Sequence, residues 1–465
     1  MRHKNSIIMA LLDAIAVVEG TDSVQDIGAR IDALRKIPLG RGILFAISLS
    51  SFFAFYDITN YAYIAPILKG AWSVSDNQIA VGATTTVLGY VVGAFSITII
   101  ADSHGRKPAF IISTLILGAG SLLASSSQDM TQMSIFRFLT GIGIGSEIAI
   151  SSAYIGELSP RSKRGRYTSI VIVLGWIGLT SSGPISLILI QQSQIAAVDG
   201  WRLVLAIPGI AAFCSLILQS RMPESPRWLI SKERITEANS VLVSMGIAPI
   251  DESSDRNRPI TNARDNAWQY FKNRAISGRI ALLILVWFLV FVPVYASLLL
   301  VVEYINQGYS LTESISINII SGIGFVVGGT LSILVADRVE RKYQISAAAA
   351  LMAIGFILRG LFVHDYSSLT ASGFVAFAAN AWLVSNLYTY TAENFPTKIR
   401  SFGFGTIEGT SRALSSIGPF IFVLMQPFGF LNLMITISLF CFAAAAISLG
   451  GSRTRGISLE KLNVE

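Results

Sequence analysis

Glu157-Leu-Ser-Pro160-Arg-Ser-Lys-Arg164 is answered later in the chain by Glu393-Asn-Phe-Pro396-Thr-Lys-Ile-Arg400. The Glu, Pro and Arg are displaced alike: 393 less 157, 396 less 160 and 400 less 164 all give 236. Asp102-Ser-His-Gly-Arg106-Lys107 recurs 235 residues on as Asp337-Arg-Val-Glu-Arg341-Lys342, and Gly183-Pro184 recurs at that step as Gly418-Pro419. Sparse signatures repeated at half the chain length describe two related halves. In an apolar chain this pattern points to a pseudo-symmetric transporter with its site between the repeats.

The composition supplies the apolar chain. Of 465 residues, 52% are hydrophobic and only 14% charged, against about 25% charged in soluble domains. Twelve apolar stretches have the roughly 20-residue length of a bilayer helix. They lie near 42–66, 78–101, 108–126, 132–155, 167–190 and 201–219, then 279–303, 315–336, 343–363, 368–391, 401–425 and 427–449. The expected fold is an all-α membrane protein with 12 transmembrane helices in two six-helix halves. Of the 35 Lys and Arg residues, 30 fall in the N-terminal arm, the even-numbered loops and the tail. Lys69 and Arg202 are alone in the odd-numbered loops, and Arg137, Arg359 and Arg412 lie within spans. Positive residues stay in the cytoplasm, so a multi-pass protein of the cell membrane with both termini inside is expected. The net charge of +7 then reflects orientation, and no nucleic-acid partner is expected. Cys214 and Cys441 sit in apolar runs and read as free, buried thiols. Two Cys and three His give no metal spacing, so neither metal nor cofactor is expected.

The chain divides into an N-terminal cytoplasmic arm (1–40), a six-helix bundle (41–220), a cytoplasmic linker (221–278), a second bundle (279–450) and a tail (451–465). The Ile7–Val18 run is short and broken by Asp13, unlike a cleavable signal. Val24, Ile27, Ile31 and Leu34 have the spacing of a helix lying on the inner leaflet, with a flexible arm as the alternative. In the linker, Arg227–Met245 reads as one or two short helices, and Asp251–Pro259 as a polar break.

These signatures resemble the major facilitator superfamily over residues 40–450. Asp102-x-x-Gly105-Arg106-Lys107 is similar to the family's loop 2–3 motif, with Thr98 and Ile333 where the two copies usually carry Gly. Glu224-Ser-Pro226-Arg227-Trp228-Leu229 after span six resembles the sugar-porter and organic-ion branches. So does Arg137-x-x-x-Gly141-x-Gly143-x-Gly145, which runs into Glu157, Pro160 and Arg164-Gly165. The resemblance implies alternating access in a monomer. It also implies a cytoplasmic gate of salt bridges that closes in the outward-open state. Its members would be Asp102, Arg106, Glu157, Arg164, Glu224 and Arg227 with Asp337, Arg341, Glu393 and Arg400. Sugar porters carry a Gln in span five and a Gln pair in span seven; here stand Trp176 and Trp287-Phe-Leu-Val-Phe291. Asp26-Ile-Gly-Ala-Arg30-Ile-Asp-Ala-Leu34 and Tyr388-Thr-Tyr390-Thr-Ala-Glu393 look more like metabolite–proton symporters of carboxylates and aromatic acids.

Ionisable residues at bilayer depth are costly, so each requires a reason. Asp57 and Arg137 lie roughly 13 and 8 Å below one membrane face, close enough to meet. The resemblance implies that they couple protons; a static lock between two helices is the alternative. Glu147 reads as a second proton station or as a hydrogen-bonding group in the Gly141/Gly143/Gly145 interface. Glu408 and Arg412 have ion-pair spacing, although Arg412 can instead meet a substrate carboxylate. Arg359, near a helix end, reads as snorkelling outward. Tyr56, Asn60, Trp176, Trp287, Asn380, Asn386 and Tyr388 join Glu408 and Arg412 as cavity candidates, their aromatics equally readable as packing. The expected function is proton-coupled symport of a small organic metabolite, with carboxylates or aromatic acids favoured. Sugar–proton symport, a passive facilitator or antiporter, and a non-transporting solute sensor are the alternatives. Neither linker nor tail reads as a signalling domain, and no Walker motif or nucleophile–base constellation points to an enzyme.

Overall fold

A computed structural model describes residues 40–158, 164–192, 199–249, 274–335, 338–394 and 400–453. The N-terminal arm with its 22–36 stretch, the Asp251–Pro259 break, Pro160, Asp337, Pro396 and most of the tail lie outside the described residues, as do the side chains of Arg164 and Arg400. The first half comprises α1 (Gly40–Ala71), α2 (Asp76–His104), α3 (Arg106–Ser125), α4 (Met130–Leu158), α5 (Arg164–Gln191) and α6 (Gly200–Ser220). Two short linker helices follow, α7 (Pro226–Ser231) and α8 (Ile235–Ser244). The second half contains α9 (Arg274–Ala296), which continues through a 3-10 turn into α10 (Leu300–Asn306), then α11 (Leu311–Val335), α12 (Arg341–Leu361) and α13 (Tyr366–Glu393). It closes with α14 (Arg400–Ser415), α15 (Gly418–Met425) and α16 (Phe430–Leu449).

Among the described residues, 11 helices are long and apolar enough to cross a membrane. The twelfth expected span, 401–425, is not one helix but two in series, α14 and α15. Pro419 has no N–H to give the Ser415 carbonyl, so the ladder fails there. Gly418 in turn lies against the Val292 carbonyl, where a side chain would not fit. In the first half the same dipeptide, Gly183-Pro184, sits inside the unbroken α5.

The 235- to 236-residue step extends beyond the loops into the packing. Gly89 and Gly93 of α2 press against the Phe138 and Ile142 carbonyls of α4. Their counterparts Gly324 and Gly328 of α11 press against the Phe374 and Ala378 carbonyls of α13. Gly120 meets the Thr140 backbone as Gly355 meets that of Ala376. Helix axes approach this closely only where the side chain is absent.

Contacts between the halves start at mid-span. Trp176 of α5 stacks on Phe325 of α11 at 5.2 Å, Thr180 donates to the Gly322 carbonyl at 3.1 Å, and Thr84 donates to the Ser416 carbonyl at the α14–α15 break. Away from the charged loops, Tyr63 packs with Val301 and Ile315. The linker helices belong to the first half: Trp228, Leu229 and Leu242 pack with Ala101, Phe110 and Tyr154. Of the two thiols, Cys441 is buried as expected, but Cys214 is exposed. It lies on the outward side of α6, where an apolar run faces lipid and not a protein core.

Candidate functional site

Asp57 on α1 and Arg137 on α4 meet in the interior of the first half, 0% and 1% exposed. Arg137 Nη1 donates to Asp57 Oδ2 at 2.8 Å, Nη2 to the Asp57 carbonyl at 3.1 Å and Nε to Thr86 Oγ1 at 3.1 Å. Asn60 and Ser121 donate to Asp57 Oδ1 at 2.7 and 3.3 Å. A buried ion pair is tolerated when its remaining lone pairs and protons are satisfied in this way. Helical spacing arranges it, because Asn60 and Tyr61 follow Asp57 by three and four residues and share its face. The Tyr61 ring lies 5.6 Å below the guanidinium.

A second charge cluster lies across the interface. Glu408 Oε1 accepts from Arg412 Nε and Nη2 at 3.1 and 3.0 Å, from Tyr388 at 2.8 Å, and from Tyr90 of the other half at 3.0 Å. Arg412 Nη1 donates to the Tyr295 hydroxyl at 2.9 Å. The Tyr90 and Phe291 rings lie 4.3 and 4.4 Å from the guanidinium carbon.

Both arginines line one cavity of about 40 Å³ between the halves, walled also by Tyr61, Thr86, Tyr90 and Tyr295. That volume suits a water molecule or two, whereas pockets for organic solutes are several hundred Å³. The space between the two arginines is thus too small for an organic solute as it stands. Its walls mix three tyrosines with aliphatic side chains, and its charged lining is the two guanidinium groups, each paired to a carboxylate behind it.

The other sequence candidates are dispersed. Tyr56 is fully buried beside Asp57. Trp176 lies in the interface, whereas Trp287 is sealed inside the second half and donates to Thr391 at 2.8 Å. Asn380 points at Met352 Sδ, and Asn386 bonds its own helix at the Trp382 carbonyl. Glu147 accepts from Thr114 at 3.0 Å within the first half, next to the Gln219–Ser50 bond of 2.8 Å.

Arg359 does not snorkel: it is 0% exposed. Its Nη2 donates to Ser321 at 3.3 Å, and the Tyr304 and Phe377 rings lie 5.3 and 5.1 Å from its carbon. The space comes from Gly373, whose absent Cβ would stand 2.6 Å from Nη2. Gly373 is the repeat counterpart of Arg137, and Ser321 that of Thr86. The second half thus holds a guanidinium at the equivalent place, delivered from α12 and not α13.

The loop signatures build clusters at one end of the helices. Arg106 bridges Asp102 at 2.6 Å and Glu157 at 3.0 Å. Glu224 accepts from the Arg106 and Lys107 backbone N–H groups at 2.9 and 3.1 Å, capping α3. In the second copy Arg341 reaches Glu393 at 3.5 Å. Arg227 stands at the start of α7. Each of these pairs lies within one half.

The residues that sequence reasoning passed over are Tyr90, Tyr295, Tyr61 and Thr86. The available signal was positional: Ala83, Thr86, Val87 and Tyr90 fall on one face of α2 at helical spacing.

Comparison with known proteins decides the family. The Major Facilitator Superfamily profile matches residues 47–419. The chain belongs to this superfamily. Like other facilitators it is a multi-pass membrane transporter of small molecules, not an enzyme. This facilitator is 26% identical to the putative metabolite transport protein YyaJ of Bacillus subtilis, over 90% of this chain and 93% of that one. It is 24% identical to the niacin transporter NiaP of Acinetobacter baylyi, over 93% and 99% of the two chains. To the benzoate transport protein of the same organism it is 25% identical over 85% of each. Its fold is similar to the partially occluded inward-open structure of the Escherichia coli xylose transporter XylE. The TM-score is 0.73 at 19% identity, covering 90% of this chain and 99% of that one.

Proposed function

We propose that this facilitator is a proton-coupled symporter that imports a small organic acid, an aromatic carboxylate in preference, with its charged loops and both termini in the cytoplasm. One observation carries the reading: Arg137, which pairs with the buried Asp57, and Arg412 line the same cavity beside Tyr61, Tyr90 and Tyr295. Asp57 supplies the proton site. A motion that separates it from Arg137 would let it load a proton, and one that rejoins them would release it. Arg412 supplies a fork for a carboxylate, and Tyr61, Tyr90 and Tyr295 supply surfaces for a ring. Two curated relatives, named for niacin and benzoate transport, carry acids of this shape.

The test uses the full chain in proteoliposomes with labelled benzoate and nicotinate. The wild type is expected to accumulate the acid under an inward proton gradient. Asp57→Asn should abolish accumulation while sparing exchange of internal for external solute, because exchange needs no net proton release. Full gradient-driven accumulation by Asp57→Asn would overturn the coupling assignment.

A further inference from the structure

We propose that Glu408 is a built-in stand-in for the substrate's carboxylate: an incoming acid displaces it from Arg412, and Glu408 takes up a proton as it leaves. The inference rests on the reading that the substrate is a carboxylate.

The geometry around Glu408 is that of a placeholder. Four donors converge on its single Oε1, namely Tyr90, Tyr388 and Arg412 through Nε and Nη2. A carboxylate oxygen offers two lone pairs, so four donors overfill it. The strongest arrangement for an arginine and a carboxylate uses both oxygens against two parallel N–H groups. Arg412 instead has both bonds to Glu408 on one oxygen. Its Nη1 is spent on the Tyr295 hydroxyl, a neutral acceptor. The guanidinium is therefore charged and held flat between the Tyr90 and Phe291 rings. Its Nη1–Nη2 edge is engaged by two phenols, Tyr295 and Tyr388. A carboxylate entering the cavity that Arg412 lines replaces those phenols with the bidentate pair the residue lacks.

The proton follows from charge. Two carboxylates beside one guanidinium cannot both remain ionised without a large penalty. The substrate arrives as an anion, and Glu408 accepts one proton from the aqueous phase, leaving the site's net charge unchanged. The groups facing Glu408 are few. They are Tyr90 from α2, Tyr388 from α13 and Arg412 on its own helix, with Tyr295 of α9 on the far side of Arg412. Across the cavity, Arg137 is already neutralised by Asp57. No other cation facing Glu408 among the described residues takes over its charge.

The exchange has a mechanical result. The Tyr90–Glu408 bond joins the two halves, and it is strong because its acceptor is an ionised carboxylate. Neutralising Glu408 weakens that tie when the acid is seated, so occupancy itself loosens the interface.

The experiment is calorimetric titration of purified full-length protein with benzoate in two buffers of different ionisation enthalpy, which counts protons taken up per ligand. Binding to the wild type should take up about one proton more per benzoate than binding to Glu408→Gln does. Glu408→Gln should also bind benzoate about tenfold more tightly, because the internal competitor is gone, and benzamide no more tightly than the wild type does. Benzoate binding to the wild type with no proton uptake, equal proton counts for the wild type and Glu408→Gln, or unchanged or weaker binding to Glu408→Gln, overturns the proposal and leaves the carboxylate reading standing. The wild-type count needs no change at position 408, so a poorly folded Glu408→Gln does not blunt the test. If no carboxylate among benzoate, nicotinate and butyrate binds the wild type while a neutral solute does, the substrate reading falls and the exchange falls with it.

Discussion

Arg137 and Arg359 are equally buried, yet of the two only Arg137 has a carboxylate against it among the described residues. The neighbours of Arg359 are neutral: the Ser321 hydroxyl, the Tyr304 phenol and the Phe377 ring. The two residues should respond differently to the same change. Arg137→Met strands the Asp57 carboxylate in the interior and should cost about 3–5 kcal/mol. Arg359→Met strands no charge, and its loss of cation–π contact, about 0.5–2 kcal/mol, is offset by relief of a desolvated cation. Thermal unfolding in detergent compares them directly, and an equal drop for both would show that a counter-charge serves Arg359. At this scale the sequence is partly legible. Asp57 and Arg137 can be matched because depth along a helix is a simple count. The burial of Arg359 is invisible from its own helix, because it depends on a missing side chain at Gly373 on the next one. Tyr90 and Tyr295 escape notice for a different reason: aromatic residues are common throughout the spans, and only packing shows which face the cavity.

Between elements, glycine does the work that loop charges advertise. Gly93 against Ile142 and Gly328 against Ala378 are the same contact made twice. Adding one methyl group at either should force the α2–α4 or α11–α13 pair apart, at about 1–3 kcal/mol, the usual range for overpacking. Gly405→Ala provides the contrast. That position on α14 has open space around it, so the substitution should be neutral or stabilise by up to about 1 kcal/mol through helix propensity. Unfolding midpoints of the three variants test this, and a tolerant Gly93 or Gly328 would refute the close approach. The long apolar spans are legible because bilayer thickness fixes helix length. The division of span eleven is not read from hydropathy, since the average over 401–425 ignores a proline whose missing N–H stops one helix and starts another.

For the whole molecule, alternating access requires the halves to rock, and the mid-span contacts offer a way to stop them. The absent Cβ of Gly322 would lie 3.7 Å from Thr180 Cγ2, an atom one bond beyond Cβ where a cysteine sulfur can stand, so cysteines at the two positions would face each other across the halves. In a background lacking Cys214 and Cys441, Thr180→Cys with Gly322→Cys should cross-link on oxidation and lose transport, and reduction should restore it. Full uptake by the cross-linked protein would rule out relative motion at this level. The two-half plan is legible from the sequence because loop charges at helix ends must be repeated wherever the same helix pair is repeated. The cavity is not, because it is formed by residues that never share a helix.

The interruption between Ser415 and Gly418 gives α14 a carboxyl-terminal end inside the membrane, and Arg412 lies in its last turn. The peptide dipoles of that half-helix sum to a partial negative charge of about half an electron at such an end. Main-chain carbonyls thus offer Arg412 a partial negative charge that no protonation can remove. Were Glu408 to become neutral, the guanidinium, which stays charged in any protein, would keep that backbone complement until an anion arrived.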